Sequence, residues 1–410
     1  MATAGEGGEN RPLVLITLVH GTWARGIPWV ARKHPEKEAA WCSRQSNFVR
    51  RLTDGFQCKG VEVGYNTLNW SGANSILARE EAADRLYRMN WSAHRGDRVI
   101  LRMIIAHSHG GSIALRALQK LRRLGRKTPA VVTMGTPFLS LEKTRYAAGA
   151  WRPNLFTAVI TCFFVTQQVL HITSDLLPLP HLVALITSIL VSAAATLWFI
   201  AYLSYAPNTR DLLEATDFGV PGKGSRIMIV RGAEDEAGLT MSFALLGVRL
   251  TDVIALGFRV ICIAAAIFGL VLLLLIALGV CFAVAMNLIF GAAIPWSAWL
   301  PHLGGFVCRV GTGAAYFLGA FALVRLTITS LAKGVFGHEL VRGAASFSVT
   351  ASSVPDVRCE INVNTLSREN SNAGLLLHGV YDHPHIINNI VVWTLRLLEA
   401  ERKQLDAVSQ

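Results

Sequence analysis

Between Val260 and Cys308 the chain carries no Asp, Glu, Lys or Arg. No other feature limits the possible folds so strongly, because a stretch this long and this free of charge belongs in lipid or in a very large core. Leu155–Thr173 and Leu182–Tyr205 are equally free of charge, and Gly311–Val324 continues the apolar character of the longest run. Four such stretches exceed what core helices of a soluble domain need. They are read as spans near Leu155–Thr173, Leu182–Tyr205, Val253–Val280 and Gly304–Leu326, paired into two transmembrane helical hairpins. Ser174–His181, with two prolines, is the turn of the first pair; Met286–Trp299, with Pro295, Trp296 and Trp299, reads as an interfacial or re-entrant piece.

The first 150 residues have the composition of an ordinary globular chain, and outside the apolar stretches the pattern alternates. Leu13–Val19 reads as a fully buried strand, Glu36–Phe56 as a helix, Val61–Leu68 as a strand and Ile76–Asn90 as a helix. Arg98–Ala106 is the next strand, Gly111–Leu124 its helix and Ala130–Met134 a further strand. After the first apolar segment comes the strand Arg226–Val230; after the second come a strand near Val357–Val363 and a final helix, about Pro384–Arg402. Alternation with continuously apolar strands implies an α/β fold, a mostly parallel sheet with helices on both faces. The organisation expected is a disordered tail (1–11), a core built from 12–150, 207–250 and 333–410, and hairpins at 151–206 and 251–332.

Lys and Arg total 39 against 27 Asp and Glu. No basic run is dense enough, or interleaved with aromatics, for nucleic acid, so this excess is read as facing anionic lipid headgroups. The seven cysteines are scattered, with no C-x-x-C, so neither a disulfide framework nor a zinc site is expected. No metal-ligand spacing or cofactor motif stands out.

The chemistry gathers at Ala106-His107-Ser108-His109-Gly110. A β-branched strand ends abruptly in a serine, and a helix follows at once. A serine held up on such a turn needs small residues two before and two after it, and Ala106 and Gly110 supply them in the form A-x-S-x-G. Acyl transfer by serine also needs a base, a carboxylate to orient that base, and donors for the developing oxyanion. Asp235 follows the strand ending at Val230, with Glu234 and Glu236 beside it, and His378 lies in the loop before the last helix. His20-Gly21-Thr22-Trp23 follows the first strand, where a loop can turn its N–H groups into a site.

With its serine elbow, the His20-Gly21-Thr22-Trp23 loop, the Gly135-Thr136-Pro137 strand end, the Asp235 turn and the late His378, the chain resembles the α/β-hydrolases of the lipase/esterase kind. The resemblance covers most of residues 12–150, about 225–240 and 350–405, and leaves out the apolar segments. It implies a catalytic triad of Ser108, Asp235 and His378, with His383 and His385 as alternative bases. The oxyanion donors would be the backbone N–H groups of His109 and of Thr22 or Trp23. His20, Gly21, His107 and Gly110 would support the site.

The apolar segments fall between the triad members, so each must cross a bilayer an even number of times. Lys143, Arg145, Arg152, Arg210, Arg249, Arg325 and Lys333 flank the hydrolase side, which the charge rule assigns to the cytoplasm. The expected activity is hydrolysis of a carboxylic ester in a lipid or another apolar substrate, by a multi-pass membrane enzyme. The same triad would serve a thioesterase or amidase, and a membrane scaffold that keeps the fold without catalysis is the reading from outside enzymology.

Overall fold

In the computed structural model the described residues are 11–22, 24, 40–89, 91, 94–95, 98–143, 209–217, 226–232, 327–343, 347–352, 354, 362–366 and 383–409, with short helical stretches and single positions between 183 and 324. Six parallel strands form the central sheet. They are β1 (Leu13–Val19), β2 (Glu62–Leu68), β4 (Arg98–His107), β5 (Ala130–Met134), β7 (Ile227–Gly232) and β9 (Asn362–Leu366), in the spatial order β2-β1-β4-β5-β7-β9. The two-residue β3 (His94–Arg95) pairs antiparallel with the start of β4. The expected α/β class, with a mostly parallel sheet, is therefore what the chain forms.

Alternation along β4 sends its side chains to two faces. Met103 and Ile105 join a core with α1 (Asn47–Gln57) and α6 (Pro384–Ser409), through Phe48, Leu52, Phe56, Ile386 and Ile390. Ile104 and Ala106 join the opposite core, with α2 (Ile76–Arg88) and α3 (Gly110–Arg123). Helix starts follow their caps. α1 begins at Asn47, later than the pattern suggests, because the Ser46 hydroxyl accepts a hydrogen bond from Val49 N at 3.1 Å. Ser75 caps α2 in the same way through Ala78 N. β9 lies several residues beyond its expected place.

A third cluster has no counterpart in the sequence pattern. β6 (Phe138–Lys143) pairs antiparallel with β8 (Phe347–Ser352), outside the main sheet. Leu139 and Leu141 of β6 pack with Leu212 of α4 (Thr209–Thr216), Ala244, Phe336, Leu340 of α5 (Glu339–Arg342) and Phe347. These elements come from the chain on either side of both apolar segments.

Glu339 ties this cluster to the sheet. Its carboxylate accepts from the Ser75 hydroxyl, from Ile76 N at 3.1 Å and from Leu77 N at 3.3 Å, at the start of α2. Burial pushes the carboxyl up, but hydrogen bonds from Ser75 and from backbone N–H groups outweigh it and hold the pKa below the ordinary value. Arg79, buried nearby, donates to the Phe336 carbonyl at 2.7 Å. Burial pulls its guanidinium down to about 10, against the field of Glu339, so it stays charged at neutral pH.

Among the described residues, no helix is long and apolar enough to cross a membrane. Most of the expected spans, like most of the expected tail, lie outside the described residues.

Candidate active site

The strand order reverses between β1 and β4, and their C-terminal ends open side by side. In open parallel sheets such a switch point is where ligands bind. β4 ends here at His107, and Ser108 follows with φ of 54°, the one left-handed non-glycine conformation among the described residues. A serine in that region stores roughly 1–3 kcal/mol of strain. It is held there by its N–H donating to Met134 O and its carbonyl accepting from Gly111 N, each at 2.9 Å. The serine is only 8% exposed.

Glycines let the backbone close around it. A Cβ on Gly21 would stand 2.6 Å from Ser108 Cβ and 3.1 Å from its Oγ, so the loop after β1 touches the serine. A Cβ on Gly110 would come within 2.5 Å of Val19 O and 2.9 Å of His20 O. One on Gly111 would press on the Thr136 side chain, 2.5 Å from its Cγ2. Ala106, the methyl-bearing member of the elbow, is fully buried in the core beneath α2 and α3, where its methyl packs with apolar neighbours.

The expected residues separate as follows. His20 and Gly21 come together with Ser108 and Gly110, and Thr22 follows directly in the same loop. His20 is fully buried; its Nδ1–H donates to Gly21 O at 2.9 Å. The Thr22 hydroxyl is buried with no hydrogen-bond partner among the described residues. His109 occupies the cap position of α3 with no side-chain capping bond, so its backbone lies at the positive end of that helix. His107 follows the alternation of β4 to the face of α1, where its ring meets Trp41 edge-on at 5.8 Å, facing away from the α2–α3 face. Its expected support of the site is therefore indirect, through packing.

β7 ends at Gly232, on the same edge of the sheet as Ser108. Asp235, three residues further on, lies outside the described residues, as do Trp23 and His378. His383 and His385 stand at the start of α6, their rings edge-on at 6.5 Å. The His383 carbonyl accepts from Ile386 N at 3.1 Å and Ile387 N at 3.3 Å, which gives this residue a capping role. Among the described residues no group of acidic, histidine and cysteine side chains could hold a metal ion.

Sequence reading passed over Trp70. It follows β2, one strand out from β1; its indole N–H donates to His20 O at 2.8 Å and its ring stacks on the His20 ring at 5.5 Å. Its position just past a strand end, beside the strand carrying the His20 loop, is the one signal that could have singled it out.

Compared with protein-family models, characterised proteins and solved structures, the chain matches none.

Proposed function

We propose that the protein is a membrane-integrated serine hydrolase that cleaves carboxylic esters of lipids. Ser108 is its nucleophile, Asp235 its acid and His378 its base. The observation that carries this reading is the left-handed Ser108 on a strand–helix turn at the sheet's switch point, with the Gly21 loop against it. Strain at one polar residue, maintained by close glycine contacts, is characteristic of a site rather than of a helix cap.

In this mechanism His378, oriented by Asp235, takes the Ser108 proton as Oγ attacks the ester carbonyl. The backbone N–H groups of His109 and of Thr22 or Trp23 stabilise the oxyanion, and the protonated histidine passes its proton to the departing alkoxide. Water then repeats the sequence on the acyl-enzyme, which releases the acid and restores the serine.

The membrane part of the reading has its own support. Nearly all the large apolar side chains exposed among the described residues lie between Val183 and Val335; Leu77, Leu124, Val363 and Val392 are the exceptions. Each would gain roughly 1.5–3 kcal/mol from leaving water, which a bilayer offers and a solvated surface does not. The chain on either side of each apolar segment also contributes to one cluster, through β6, α4, Ala244 and Phe336, as two hairpins returning to one side would require. The flanking Lys and Arg assign that side to the cytoplasm.

The test is turnover by the purified full chain in detergent. Ester hydrolysis should fall at least about 10³-fold in Ser108→Ala, and long-chain lipid esters should be preferred over soluble short-chain esters. Unchanged turnover in Ser108→Ala would remove the catalytic reading. Equal efficiency on both ester classes would remove the lipid assignment.

A further inference from the structure

We infer that Trp70 is a positioning residue that fixes the loop after β1 and with it the direction of the Thr22 N–H, an oxyanion donor in the hydrolase reading above, on which this inference rests. A trans peptide is planar, with its C=O and N–H pointing in opposite directions, so holding one end of the unit aims the other. Two consecutive peptide units lie between His20 and Thr22, and each is held by its carbonyl. The His20 carbonyl accepts the Trp70 indole N–H at 2.8 Å, which sets the Gly21 N–H. The Gly21 carbonyl accepts from His20 Nδ1 at 2.9 Å, which sets the Thr22 N–H. A carbonyl oxygen only accepts, so His20 carries its proton on Nδ1 in this arrangement.

The His20 ring must itself be kept from turning, and Trp70 does this too. The two rings stack at 5.5 Å with 17° between their planes, and both residues are buried. Trp70 therefore governs the first peptide unit directly and the second through the His20 ring. The loop that carries Trp70 is anchored at its other end, where Asn74 Nδ2 donates to Gly334 O at 3.0 Å and Asn74 O accepts from His338 N at 3.1 Å. Trp70 is thus braced from both sides, by the sheet and by the chain that follows the second apolar segment. Packing alone does not account for the arrangement, because phenylalanine would fill much of the same space without supplying the N–H.

Losing one oxyanion donor costs roughly 10²–10³-fold in kcat, and a group acting through the loop should forfeit part of that. In the full chain in detergent, Trp70→Phe is expected to lower kcat for p-nitrophenyl butyrate about tenfold, with KM within about twofold. The rate of labelling by a fluorophosphonate should fall in parallel, since phosphonylation of Ser108 develops charge on the same side. Replacing the indole at position 70 by the isosteric benzothiophene, which exchanges the N–H for sulfur, should give the same loss with the shape retained. Wild-type kcat and labelling rate in the benzothiophene protein would overturn the inference while leaving the hydrolase reading intact. A wild-type chain that never reacts with the fluorophosphonate would overturn the hydrolase reading, and this inference with it.

Discussion

Leu52 and Leu288 carry the same side chain, yet Leu52 is fully buried under the sheet while Leu288 is 83% exposed. That contrast separates the two regions of the molecule. In the sheet and its helices, apolar residues face inward and the backbone is held close by glycines and caps. Between Val183 and Val335, outside α4 and β7, exposed ones such as Leu190, Phe282 and Leu288 face outward. Apolar surface drives folding only where water is removed from it, so under the proposed membrane reading the two regions would meet different solvents, and the cluster holding β6, α4, Phe336 and β8 would lie between them.

Three pairs of positions can break this contrast, and the core leucine carries the greatest effect. Leu52→Ala leaves a cavity and should cost about 2–5 kcal/mol in denaturant unfolding, whereas Leu288→Ala should change stability in detergent by less than about 0.5 kcal/mol. Leu288→Arg sharpens the test, since Leu288 falls in the piece read as interfacial or re-entrant, where a charge facing lipid costs up to about 2.5–3.5 kcal/mol, the value at a bilayer centre, and should reduce recovery in carbonate-washed membranes. Equal retention of Leu288→Arg and wild type would contradict the outward-facing assignment.

Glycines form the second pair. A methyl at Gly110 meets backbone oxygens that cannot yield, and Gly110→Ala should cost about 1–3 kcal/mol and abolish fluorophosphonate labelling. Gly247, helical and with nothing within 4 Å of the position a Cβ would take, should accept alanine with a gain of up to about 1 kcal/mol. Thermal unfolding of the two variants measures both.

Glutamates form the third. Glu339→Gln removes charge-assisted bonds to the start of α2 and should cost about 1–3 kcal/mol, while Glu81, exposed and paired with Arg85 at 2.6 Å, should lose less than about 0.5 kcal/mol on conversion to alanine. Glu339 also carries a pH signature. Its folded pKa lies below its ordinary 4.5, so its stabilisation is complete above that value and is lost as pH falls through the lower folded one. Urea midpoints should therefore fall on acidification, with a shallower slope in Glu339→Gln. Glu80 and Glu401 are also held low: burial raises each, but hydrogen bonds from Arg116 and Lys120, and from Arg226 and Lys127, outweigh it. They keep part of the slope in that variant.

Local features are legible in the sequence. The strands through Val19, His107 and Met134 stand out because largely apolar runs end at glycine or polar residues, and the strand through Leu68 because Val61, Val63 and Tyr65 alternate with polar or small residues. Ser108 stands out because a serine between a buried strand and a helix breaks both patterns. The antiparallel pairing of Phe138–Lys143 with Phe347–Ser352 does not, since it joins segments that both apolar stretches separate and leaves no local periodicity. Trp70 escapes for a similar reason: its role comes from a neighbour 50 positions away. For His107, sequence adjacency to the serine suggests a supporting residue, and strand alternation turns its ring toward Trp41.

The most direct test of the central claim is to treat the full chain with a fluorophosphonate and map the modified peptide by mass spectrometry. The expected result is one phosphonylated residue, Ser108, with labelling absent in Ser108→Ala. Labelling of a different serine, or none in a folded wild-type chain, would contradict the account.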